Sequence, residues 1–263
     1  MCTVLAFGLI NNTQFSLLHE AVHGTLHPNR KINDWLGRWL AAFFPTGFSL
    51  QRTFHLGHHQ RNRSPVEQFD YIRPGESAWL KRAQWYCILT GIYWLFVVAG
   101  ALTYLIWPGF FQSRFFHASQ SAQQTSASAM FSALSQQKAW RLRLEILYSF
   151  TFQISIYWLL GLNPISVLAP YGCFALFWSS LQYADHAFSP LDPRSGAWNL
   201  RTSGWVRLLY LNYHHHRSHH QHPEISWFHL PKLGGFSKED PSFWQIYARM
   251  WAGPKPLPHP PVP

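Results

Sequence analysis

The chain has 263 residues, enough for one large domain or two small ones, and no stretch reads as a linker between two cores, so one domain is expected. Charged residues make up 12% while aromatics reach 17%, with 14 Trp, a balance that suits interfacial aromatic belts better than an ordinary soluble surface. The net charge of +10 would fit nucleic acid, but the basic residues flank apolar blocks (Arg30, Lys31, Arg38, Arg52, Arg61, Arg63, Lys81 and Arg82). No nucleic-acid partner is expected, and the basic side reads as a cytoplasmic face. The mean hydropathy of -0.11 hides this segregation, because 16 His and several polar stretches offset the apolar blocks.

Residues 1–18 carry no charge and lead directly into His19. They lack the basic start and small-residue cleavage site of a signal peptide and predict a transmembrane helix, or the end of one. Residues 85–107 form a run of 23 without charge and with aromatics at both ends, long enough to span a bilayer once. Residues 146–184 are uncharged for 39 positions, with Asn163-Pro164 near the middle, and predict two short helices joined by a tight turn. Parity then constrains the topology. If the histidine clusters described below share one side, the chain crosses an even number of times between them, and the hairpin supplies two crossings. The 85–107 run should therefore leave and return on the same side, bending near Gly91 or Gly100. The Ser-, Gln- and Ala-rich stretch 118–137 is expected to be a polar helix or a disordered loop. Residues 253–263, rich in Pro, read as an extended, dispensable tail after a domain of 1–252. Cys2, Cys87 and Cys173 are too scattered for a disulfide framework or a zinc ribbon and are expected as buried fillers.

Three histidine arrangements stand out: His19-Glu20-Ala21-Val22-His23, His55-Leu56-Gly57-His58-His59 and His216-Arg217-Ser218-His219-His220. On a helix, residues i and i+4 lie one turn apart on one face, so two imidazoles converge on one metal, and i, i+3, i+4 also share a face. His-x-x-x-His alone is weak, but His-x-x-His-His is expected on the order of 0.05 times by chance at this composition and occurs twice. Neutral imidazole suits iron, zinc, copper or nickel, so the clusters do not name the metal. The first also matches the zinc-protease pattern His-Glu-x-x-His, in which the glutamate is the base. A membrane zinc metalloprotease is one alternative, and a non-enzymatic membrane metal-binding or scaffold protein is another.

The order His-x-x-x-His, His-x-x-His-His, apolar hairpin, His-x-x-His-His resembles the membrane fatty-acid desaturase superfamily over nearly the whole chain. That superfamily also holds alkane and xylene hydroxylases, carotenoid ketolases and sterol oxidases. Leu211-Asn212-Tyr213-His214, running through His219-His220 to Pro223, Trp227 and Leu230-Pro231, is similar to the third box of bacterial acyl-lipid desaturases. The wording around His216 to Pro223, and around Gly57-His58-His59, also resembles alkane hydroxylases. Family members usually have two membrane helices before the first box, and this sequence has room for one, so the reading frame is expected to extend upstream.

The resemblance implies an all-α fold: an integral membrane helical bundle with a cytoplasmic helical cap holding a histidine-ligated dimetal site. It implies two iron ions held by His19, His23, His55, His58, His59, His186, His216, His219 and His220. His186 enters because the family places an isolated ligand there, and His216, His219 and His220 are preferred over His214, His215 and His222 by spacing. Gln182 falls where some members carry an amide near the metal, or it makes a helix-end hydrogen bond. Glu20, Asp185, Asn212, Glu67 and Asp70 are candidates for supporting the site, the carboxylates by accepting the outer ring N–H of an imidazole. His27, His117, His229 and His259 lie off the pattern. The implied activity is O2-dependent desaturation of a fatty acyl chain, with hydroxylation or ketolation of an alkane, terpene or carotenoid as the alternative. No Rossmann fingerprint, haem-attachment motif or fused cytochrome occurs, so electrons are expected from a separate ferredoxin-like or cytochrome-like protein. The expected location is a bacterial inner membrane, with the histidine site on its cytoplasmic face.

Overall fold

A computed structural model describes residues 1–258, and it is mostly helical. Helix α1 (Cys2–His23) ends because Gly24 takes φ 87°, and the Gly24 and Thr25 N–H groups bond back to the carbonyls of Glu20 and Ala21, a left-handed stop that glycine makes at least cost. Helix α2 (Arg30–Ala41) starts at Asn29, whose side chain accepts the N–H groups of Lys31 and Ile32. Helix α3 (Phe48–Arg61) follows a buried tip. The carbonyls left over at that tip are met by neighbouring side chains: Ser149 Oγ donates to Ala41, Gln153 Nε2 to Ala42 and Tyr171 OH to Phe43.

The apolar run 85–107 is broken. Helices α4 (Ala78–Leu89) and α5 (Tyr93–Ile106) meet at 96°. The break falls at Gly91 rather than Gly100: Gly91 has φ 82°, and a Cβ there would come within 2.9 Å of Ala175. Stretch 118–137 is neither one helix nor a featureless loop. It lies in a string of short pieces, α6 (Arg114–Ala118), α7 (Gln120–Gln124), α8 (Ala127–Ser132) and a 3-10 turn at Ala133–Gln136. Ser113 and Ser119 cap the first two through their hydroxyls, the local competition with helix continuation that serine offers. Ala122 and Leu134 anchor the string by burial.

Helices α9 (Ala139–Leu159) and α10 (Pro164–Ala184) flank the turn at Asn163, whose side chain caps Ser166 N–H. They are not short. Each has 21 residues, about 30 Å of helix, because α9 extends back through Arg141, Arg143 and Glu145, all good helix formers. Helix α10 packs along α1. Beyond it come α11 (Gly204–Leu209), α12 (His216–Gln221), α13 (Leu230–Leu233) and α14 (Phe243–Met250), the last opened by a Ser242/Gln245 capping box.

Strands β1 (Tyr71–Ile72) and β2 (Lys255–Pro256) pair in parallel, so the start of the Pro-rich tail is docked: Lys255 N–H reaches Asp70 O and Leu257 N–H reaches Ile72 O. The rest of that tail, 259–263 with His259, lies outside the described residues. The cysteines depart from expectation. Cys2 is exposed at the free end of α1, and Cys87 and Cys173 are half-buried.

One apolar cluster joins α1, the tip after α2, α3 and α10 through Phe15, Phe44, Phe48 and Phe174, and another joins α4, α10 and α14 through Trp85, Leu181 and Met250. Large apolar side chains also face outward, among them Leu95 and Phe96 on α5, Ile154 and Trp158 on α9, and Ile165 and Leu168 on α10. Among the described residues, α10 alone is long and apolar enough to cross a membrane by itself, and the bent α4–α5 pair qualifies when taken together.

Candidate metal centre

Four pieces of chain bring histidines to one place. The last turn of α1 carries His19 and His23, and the second half of α3 carries His55, His58 and His59. His186 stands two residues past the end of α10, and α12 carries His216, His219 and His220. These nine side chains form two groups: His19, His23, His55, His59 and His219, and then His58, His186, His216 and His220. Within each group the ligand-capable atoms all lie within 4.8 Å of one another. Nε2 atoms meet nearly in van der Waals contact: His23 to His55 at 2.8 Å, His55 to His59 at 3.0 Å and His59 to His219 at 3.1 Å. In the second group, His216 lies 2.9 Å and His58 3.1 Å from His186, and His220 is 3.2 Å from His216.

The division refines the expectation that the three histidines of each His-x-x-His-His share one face. In both boxes the i and i+4 histidines stay together, and the i+3 histidine crosses to the other group: His58 leaves His55 and His59, and His219 leaves His216 and His220. Adjacent residues on an α-helix point about 100° apart, so neighbouring histidines straddle the line between the two groups.

Burial sets the protonation state. Desolvation, reinforced by neighbouring imidazoles, pushes His55, His186, His216, His219 and His220 well below the ordinary histidine value, and takes His59 down to about 2. Neutral imidazoles keep a lone pair free for a metal. His19 Nε2 is buried with no hydrogen-bond partner, an arrangement that costs free energy unless something accepts its lone pair. Nine imidazoles with no carboxylate in either group make a donor set that fits transition-metal ions, iron included, unlike the Glu-x-x-His set of soluble diiron bundles.

The flanking groups divide as well. Glu67 Oε2 lies 3.1 Å from His58 Nδ1, and Gly196 O lies 3.0 Å from His186 Nδ1. Asp185 is fully buried with Oδ2 3.6 Å from His216 Nδ1, beyond hydrogen-bond length. Gln182 is half-buried with its amide nitrogen unpartnered. Glu20 turns to Thr25 Oγ1 at 2.6 Å and Trp227 N at 3.3 Å, and Asn212 Nδ2 reaches Trp227 O, so those two tie chain segments together. Asp70 pairs with Arg63. His214 and His215 are buried outside both groups against Phe236. His222, His229 and His27 lie away from the centre, and His117 contacts Ser128. The spacing of the boxes gave no hint of Asn62, Arg63 or Gly196, which brace the turn after His186. For Asn62 and Arg63, a place just past the second box was the only signal available.

A cavity of about 10 Å³, room for roughly one water, touches both groups through His19, His219 and His216, with Tyr213, Trp227 and Leu230 on its apolar side. A larger groove of about 400 Å³ between α2 and α9, lined by Trp35, Trp39 and Tyr148, touches none of the nine histidines.

A mostly helical fold that gathers nine histidines into two groups able to hold metal ions is the arrangement of a histidine-box protein. The chain belongs to the fatty acid desaturase family, whose model matches residues 1–251. No curated protein and no solved structure matches it significantly.

Proposed function

We propose that the chain is an integral membrane desaturase that binds two iron ions, one in each histidine group, and uses O2 and electrons from a separate carrier to introduce a double bond into a fatty acyl chain. The observation that carries this reading is the pair of all-imidazole groups sharing one cavity, in a chain of this family. Bound iron supplies the O2 chemistry that removes hydrogen from an unactivated C–H bond.

The protein's own part is to position and to exclude water. The nine histidines hold the ions, and Glu67 and the Gly196 carbonyl orient the rings of His58 and His186 through their Nδ1 atoms. Trp227, Leu230 and Tyr213 wall the small cavity that touches both groups and keep that side of the centre apolar and dry. Asp185, 3.6 Å from His216 Nδ1, and Gln182, whose amide nitrogen is unpartnered, are the further candidates for supporting the site. In a zinc protease, three protein ligands leave one position open for water. Here three more imidazoles, His55, His59 and His219, converge on the His19–His23 pair, and Glu20 is tied to Thr25 and Trp227.

The outward apolar faces of α5, α9 and α10 support a bilayer setting, and Lys138, Arg141 and Arg143 at the start of α9 support a cytoplasmic side for the centre, in a bacterial inner membrane. Mass spectrometry of lipids from a host expressing the gene tests the reaction. New unsaturation that depends on His59 and His220 is expected, whereas hydroxylated or ketolated product in its place assigns the alternative chemistry, and an unchanged lipid profile in a host with a competent electron carrier refutes the reading.

A further inference from the structure

His186 is the one member of the two groups with no histidine one helical turn away to share its support. It follows the end of α10, in an irregular stretch, and its ring is fixed through Nδ1 by the carbonyl of Gly196 at 3.0 Å. That bond orients the ring only if the turn between 186 and 196 is itself held.

The hold comes from the end of α3. Arg63 forks onto Asp70 through two bonds of 2.9 and 2.8 Å, and the same guanidinium donates to Ser189 O at 3.1 Å and Pro190 O at 3.3 Å. Asn62 Nδ2 donates to Pro193 O and Gly196 O. Asp70 Oδ2 accepts the N–H of Phe188 at 2.6 Å. A Cβ on Gly196 would collide with the Arg63 side chain, so the turn lies directly on the guanidinium stem. The ion pair is almost fully buried, at 3% and 2% side-chain exposure. A buried pair of this kind adds little net stability, and its attested use is to fix geometry. Backbone conformation agrees: Arg63 and Phe188 have φ 57° and 58°, a left-handed state that non-glycine residues keep only when the surroundings enforce it.

The C-terminal strand closes the assembly from outside. Lys255 N–H donates to Asp70 O. The ring of Phe188 lies 4.3 Å from the Arg249 guanidinium carbon and 5.3 Å from Lys255 Nζ. The segment expected to be dispensable therefore touches both the carboxylate-bearing residue and the turn it holds.

We infer that the Arg63–Asp70 pair, clamped by strand β2, is a positioning device for His186 and sets the metal occupancy of the four-histidine group alone. The inference rests on the two-metal reading above. Its test uses the full-length metal-free protein titrated with Co2+, read by ion stoichiometry and absorption, alongside thermal unfolding. Wild type should bind two ions per chain. Asp70→Asn and Arg63→Lys should each bind one tightly, matching His186→Ala and retaining the five-histidine group, with a cooperative unfolding transition still present. Truncation after Ala252 should keep the second ion but weaken it by about tenfold, in the range for loss of an outer support. Two tight ions in both Asp70→Asn and Arg63→Lys overturns the inference. Loss of both ions overturns it as well, because the pair would then hold the whole fold rather than His186. Fewer than two ions in wild type contradicts the two-metal reading itself, and that is seen before any variant is made.

Discussion

Glu67 sets one carboxylate oxygen 3.1 Å from His58 Nδ1 and offers the other to Arg61 Nε at 3.3 Å. A carboxylate there fixes the ring so that Nε2 faces the four-histidine group, and it raises the basicity of that nitrogen. Glu67→Gln should therefore weaken that group's ion by about 10–100-fold and leave the five-histidine group unchanged. Metal titration in the presence of a competing chelator measures both affinities. Equal weakening of the two sites would show that Glu67 acts through general stability instead.

Acid should destabilise the metal-free protein. Burial holds His186, His216, His219 and His220 well below the ordinary value of 6.5. In the unfolded chain the same side chains take up protons near pH 6.5, so the unfolded state binds more protons below that point and stability falls as pH falls. Above pH 6.5 the full stability is present. Each such histidine steepens the loss by about 1.4 kcal/mol per pH unit. Denaturant midpoints between pH 7.5 and 5.5 check this, and a midpoint that rises on acidification is the opposite result.

The bend between α4 and α5 depends on one residue. At Gly91 any side chain meets Ala175 and must adopt φ 82°, whereas a Cβ on Gly100 finds its nearest neighbour 3.9 Å away, at Phe131. Gly91→Ala should cost about 1–3 kcal/mol in strain, with Gly100→Ala close to neutral. Thermal unfolding of the two variants compares them directly.

Much of the centre was legible because histidine spacing on a helix is a geometric statement. The boxes at His19, His55 and His216 could be found by spacing alone. What spacing could not give was the assignment to two groups. That depends on where three helices meet, and it sends His58 and His219 away from their sequence neighbours. His186 carries no spacing signal and was reached through family resemblance. Its supports, Asn62, Arg63 and Asp70, lie more than a hundred positions earlier in the chain. The docked tail was missed for a related reason: Pro254 and Pro256 read as extended chain, and nothing local says that Asp70 and Ile72 supply the partners. The length of α9 was missed because charge was read as the end of the helix, although Arg141, Arg143 and Glu145 continue it.

A bilayer setting makes a topological demand that labelling can meet. With the native cysteines replaced, single cysteines at His23, Ser64, Ser119 and His219 should all react from the cytoplasmic side, and one at Asn163 from the opposite side. Outside labelling at position 119 would mean that the α4–α5 pair crosses the membrane as one broken span.

The most direct measurement is iron per chain, taken together with O2-dependent lipid product, in wild type and in the neighbouring variants His58→Ala and His59→Ala. These two residues are adjacent in sequence but stand in different histidine groups. Wild type should hold two irons and form product. Each variant should lose its own group's iron, retain one and make no product, while His27→Ala and His117→Ala stay at two irons with turnover nearly unchanged. Normal product from His59→Ala, or an active wild type that carries zinc and no iron, would contradict a diiron centre built from these nine histidines.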